Sequence, residues 1–211
     1  MAIDEQSVFV FKGQTLEETK YLMHLPEHGH RSWDTFATGY RRAAEVLSEH
    51  VLAYANDVDL LNTVGLPLIF LWRHYLELRL KDIIVSGSQR YSTHCLVDNW
   101  QTIIGMLRHV HGGVSVLRDV SPEASDVYKF DKLKRADYEK IKRIISEFDY
   151  YDKDSETFRY PEIRKKGLVE ATHIDLKNLS GAMPELADLL DEISEYLSVH
   201  YDLEREYANE I

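Results

Sequence analysis

Apolar residues recur every three or four positions along most of this chain, and that period commits it to packed amphipathic helices. Trp33, Phe36, Ala37, Tyr40, Ala44, Leu47, Val51 and Tyr54 make the first stripe, and Ser32 is placed to cap it. Ile69, Trp72, Leu76, Leu80 and Ile83 make the second, with Phe70, Arg73, Glu77 and Ile84 beside it. A loop over 56–65 precedes that helix, Pro67 falls in its first turn, and Ser86-Gly87 closes it. The third helix covers about 94–109 through Trp100, Ile103, Ile104 and Leu107, and Gly112-Gly113 breaks it. After a loop to about 132, Leu133, Ile141, Ile144, Ile145 and Phe148 mark the fourth. Leu176, Leu179, Met183, Leu186, Leu190, Ile193 and Leu197 mark the last, which Gly181 and Pro184 kink or divide.

The expected fold is therefore all-α, a bundle of four or five long helices over residues 33–211. Residues 1–32 form an N-terminal arm in which Ser7, Val8, Phe9, Val10 and Phe11 read as a short strand or extended segment. With 44% hydrophobic and 29% charged residues, the chain has the balance of a globular protein. Lys and Arg number 25 against 36 Asp and Glu, a net charge of −11 that opposes indiscriminate binding to nucleic acid or anionic lipid. The one cysteine, Cys95, excludes an internal disulfide and a cysteine zinc site. The segment 64–72 is too short to span a bilayer, and the N-terminus lacks the pattern of a signal peptide. A cytoplasmic protein that does not enter a membrane is expected.

Three segments carry candidate chemistry. Arg73, His74 and Glu77 lie among bulky apolar residues, with Glu77 four residues from both Arg73 and Lys81. The structural reading is a buried polar network that fixes helix register; the functional one is a ligand or catalytic site. His94, in Thr93-His94-Cys95-Leu96, stands where a histidine can cap a helix or contact a neighbour. Asp149 and Asp152 precede Phe158-Arg159-Tyr160-Pro161, where Arg159 can close onto either acid to anchor a loop. On the fourth helix Lys134, Arg135, Lys142 and Arg143 form a basic group, extended by Lys129, Lys132 and Lys140. It reads either as a solvated face paired with Asp131, Asp137 and Glu139 or as a nucleic-acid contact. Tyr138 would add base stacking there if it points outward. His24, His28 and His30 match no established zinc spacing, as is true of His109 and His111, so no metal and no cofactor are expected.

In order and spacing these segments resemble the HEPN (higher eukaryotes and prokaryotes nucleotide-binding) superfamily. RHYLELRLK at 73–81, THCL at 93–96 followed by Trp100, and FRYP at 158–161 carry the likeness. GYRRAA at 39–44 is similar to the first helix of some bacterial members. The resemblance covers about residues 33–200. It implies a small helical bundle, often a homodimer, that binds RNA, a nucleotide or a partner protein in bacterial stress responses, toxin–antitoxin pairs or phage defence. Its ribonuclease signature is an Arg and a His on one helix with four to six residues between them, so that His moves protons while Arg steadies phosphorane charge. This chain departs from it: Arg90 and His94 are one residue too close and Arg42 and His50 one too far. The expectation is a binding module, with a ribonuclease using a non-standard Arg/His site and a purely structural subunit as alternatives.

Overall fold

Ser32 opens helix α1 (Trp33–Ala53): its Oγ accepts the Thr35 N–H at 3.1 Å, removing one of the unpaired donors of the first turn. In this computed structural model the described residues are 32–87, 93–120, 133–153, 155–159 and 173–209, excepting the side chains of 111–120 and 207–209. The proposed N-terminal arm and strand lie outside them. The remaining helices are α2 (Val58–Ser86), α3 (Leu96–Val120), α4 (Arg135–Tyr151) and α5 (Leu176–Asn209), with no strand among the described residues. None of these helices is long and apolar enough to cross a membrane.

Helix α2 is the axis of the bundle. It packs against α1, α3 and α5; α4 closes the assembly against α3 and α5. From residue 68 to 84 no position of α2 is exposed, so its charged residues enter the interior with its leucines. The stripes foreseen for α2, α4 and the middle of α5 are buried, with Trp72, Leu76, Leu80, Ile83, Ile141, Leu190 and Ile193 all fully enclosed. In α1 the narrow line of Ala37, Ala44, Ser48 and Val51 faces inward, while Phe36 and Tyr54, assigned to the same stripe, are exposed.

Local sequence signals misplace two boundaries. Helix α2 starts at Val58, not after residue 65, because Asp57 Oδ1 takes the Leu60 N–H at 2.9 Å and starts the helix early. Pro67 therefore lies well inside the helix. Pro67 and Thr63 are exposed, so the Thr63 carbonyl that the proline leaves unbonded faces water rather than the core. Helix α3 runs through Gly112-Gly113 to Val120, where a loop was expected. Glycine lowers helix propensity by about 1 kcal/mol but creates no clash. The upstream turn, anchored by buried Ile103, Met106, Leu107 and Val110, carries the helix onward. Likewise α5 continues unbroken through Gly181 and Pro184, started by Asp175 Oδ1 on the Asn178 N–H at 2.9 Å. Gly87 ends α2 in a tight space: a Cβ there would meet Met106 and come within 2.7 Å of the Tyr201 ring.

Candidate functional site

Successive residues four apart on α2 place Arg73, Glu77 and Lys81 on one helical row, and packing seals that row inside the bundle. Arg73 is 0% and Glu77 4% exposed. A guanidinium so enclosed must find acceptors, and it does. Nη1 donates to Glu77 Oε2 at 3.1 Å, Nη2 to the His94 carbonyl at 2.9 Å, and Nε to the Asp152 carbonyl at 3.3 Å. One side chain thus ties the middle of α2 to the segment entering α3 and the segment leaving α4. Burial pulls the Arg73 pKa down, opposed by the charges of Glu77 and Asp152.

The other Glu77 oxygen, Oε1, accepts from Lys81 Nζ at 2.8 Å and lies 2.7 Å from His94 Nδ1. Burial pushes this carboxyl up, but the hydrogen bonds from Lys81 and His94 and the charges of Lys81 and Arg73 outweigh it. The net result is below the usual carboxylate range. His94 is the network's one outlet to solvent, its side chain 69% exposed. With the proton on Nδ1 it donates to Glu77 and presents Nε2 outward as an acceptor.

The two aspartates close the same region. Asp149, on α4, caps α3: Oδ1 accepts the Leu96 N–H at 2.9 Å, and Oδ2 takes a weak contact from Cys95 Sγ at 3.6 Å. A carboxylate from a different helix therefore supplies the anion that an N-terminus favours. His94, offered by the sequence as a helix cap, instead gives its carbonyl to Arg73. Thr93 Oγ1 caps Cys95 N–H at 2.9 Å. Asp152, fully buried, accepts the Thr157 N–H through Oδ1 at 2.8 Å, while Oδ2 has no hydrogen-bond partner among the described residues. Between them Ser155 takes a left-handed φ of 58°, which a non-glycine residue adopts at some cost. The thiol of Cys95, buried and beside Asp149, is pushed up by burial.

His74 does not join this group. Its ring lies edge-on to Tyr40 with centroids 4.3 Å apart and stacks on Phe70 at 5.6 Å. Burial lowers its pKa, and the charges of Arg159 and Arg73 lower it further against the pull of Glu77. The Arg159 guanidinium lies over the Phe70 ring, 5.9 Å from its centroid. Arg73, Glu77, His94, Asp149 and Asp152 thus form one cluster, and His74 and Arg159 flank another around Phe70. Tyr160 lies outside the described residues.

On α4, Lys134, Arg135, Lys142 and Arg143 are all exposed, but Glu139 and Glu147 are exposed among them. Lys140 pairs with Glu185, and Tyr138 packs against the core instead of outward. Among the described residues no group of three His, Cys, Asp or Glu side chains is placed to hold a metal ion; the His24, His28 and His30 segment lies outside them.

Sequence reasoning missed a second charged network. Asp191 of α5 bridges Arg41 Nη1 at 2.8 Å and Arg79 Nη2 at 2.7 Å. Arg41 also binds Glu45 and Asp188, and Arg79 binds Asp34 and Asp82. Only Arg79, set between leucines in Leu78-Arg79-Leu80, carried a hint that a charge enters the core.

No family model, curated protein or solved structure matches the chain.

Proposed function

We propose that this protein is a non-catalytic, HEPN-like helical module that works by docking a partner protein, as a homodimer in a bacterial stress or phage-defence setting. The observation that carries this reading is the enclosure of Arg73. An arginine that steadies phosphoryl charge must reach phosphate, yet Arg73 is fully buried and directs Nε, Nη1 and Nη2 at acceptors of its own chain. His94 is then an exposed imidazole oriented by Glu77, and the described arginine that reaches it, Arg73, is committed to its carbonyl. The network acts as a scaffold.

A protein partner is favoured over RNA or a nucleotide by charge. The basic residues of α4 alternate with Glu139 and Glu147, and the whole chain carries −11, an arrangement that weakens phosphate contacts. The test is incubation of purified protein with end-labelled single-stranded RNA, without metal and at low salt. Intact RNA and no salt-sensitive retardation are expected. Metal-independent cleavage that disappears in His94→Ala or His74→Ala, at an unchanged melting temperature, would establish the ribonuclease reading instead. Light scattering on the same sample should give twice the 24.6 kDa chain mass.

A further inference from the structure

Helix α4 and the start of α5 leave a cavity of about 350 Å³ between them, lined by none of the residues of the Arg73 network. That size lies within the roughly 300–1,000 Å³ of small-molecule sites. Its interior is apolar and aromatic, with Ile144, Phe148, Phe158 and Met183 buried and Tyr151 and Leu179 half-buried. The polar groups gather at the mouth. Arg143 is exposed there and makes no hydrogen bond or ion pair with any other described residue. Of the two carboxylates nearby, Asp175 is engaged by the Asn178 N–H, and Glu147 sits one turn from Arg143 without pairing with it. Residues of the first turn of α5 also line this mouth, where Asp175 caps the helix.

We infer that this cavity binds a small amphipathic carboxylate, its aromatic or aliphatic body in the pocket and its head group on Arg143. The planar guanidinium fork matches a carboxylate bidentately, and the interior offers a ring an aromatic-lined seat. This site is independent of the proposed docking role.

Titration calorimetry of the full chain at pH 7.5 tests it with four probes: 1-naphthylacetate, its uncharged amide, acetate, and 1-naphthylmethylamine. The naphthyl acid should saturate with a dissociation constant below about 1 mM, as expected for a ligand of its size. The amide should bind roughly tenfold more weakly, and acetate and the amine should give no saturable heat. Arg143→Gln, an exposed change that keeps the fold, should lower affinity for the acid roughly tenfold and leave the amide unaffected. Lys142→Gln should change neither. Ala182→Leu, which fills the cavity, should abolish binding of both. The inference is overturned if the acid shows no saturation by about 10 mM, if wild type and Arg143→Gln bind it equally, or if the amine binds more tightly than the acid.

Discussion

Replacing Arg73 with alanine should be among the most destabilising single changes this chain can undergo. The substitution removes a fully enclosed cation, leaves the Glu77 carboxylate without its i−4 partner, and strips a donor from both the His94 and Asp152 carbonyls. Breaking a buried ion pair by removing one member costs about 3–5 kcal/mol. Lys81 and His94 still neutralise part of Glu77, which keeps the loss within that range, while the void adds to it. For a chain of this length 1 kcal/mol lowers the melting temperature by about 2–4 °C, so a drop of roughly 6–20 °C is expected. Circular dichroism melts and urea titrations of wild type, Arg73→Ala and Arg73→Lys give the measurement. Arg73→Lys should fall between the other two, since a lysine keeps the charge and loses the three-way fork. An Arg73→Ala protein that melts with wild type, or that loses only a binding activity, would refute the scaffold argument.

Asp149→Ala should cost about 1–2 kcal/mol in urea unfolding, the usual loss of a helix cap, whereas Asp149→Asn, which keeps an acceptor for Leu96, should cost less. The folded pKa of His74 is depressed by burial, so its contribution is intact above its unfolded pKa near about 6.5 and declines as pH falls from there toward the folded value. Glu77 behaves alike around its unfolded value of about 4.3, its stability lost as pH drops through the lower folded pKa. Melting temperatures should thus fall on acidification in two stages, and His74→Phe should remove the stage nearest neutrality. Cys95, buried with its thiol pushed up, should react with a disulfide reagent much more slowly in the native protein than in urea; equal rates would contradict its placement.

Much of this architecture was legible because helical period survives tertiary context: Ile69, Trp72, Leu76, Leu80 and Ile83 mark a buried line in the sequence and in the bundle. The i,i+4 spacing of Arg73, Glu77 and Lys81 likewise announces a row of charges on an otherwise apolar helix. Gly112-Gly113 misled because propensity is local while the packing of Met106 and Val110 is not; at Pro67 one local signal, the Asp57 cap on Leu60, outweighed another. The role of Asp149 as cap to a helix fifty-three residues upstream leaves no trace in spacing. In the Arg41–Asp191–Arg79 bridge, Arg41 and Asp191 lie 150 residues apart in sequence, and each of those two looks locally like an ordinary solvated charge.

The interior ion pair itself is best interrogated by a double-mutant cycle on Arg73→Met and Glu77→Leu, read from urea unfolding free energies. If the two side chains are sealed against each other, the double replacement should cost about 2 kcal/mol less than the sum of the singles. Strict additivity, within about 0.5 kcal/mol, would mean that the two residues do not depend on one another and that the bundle is not organised around them.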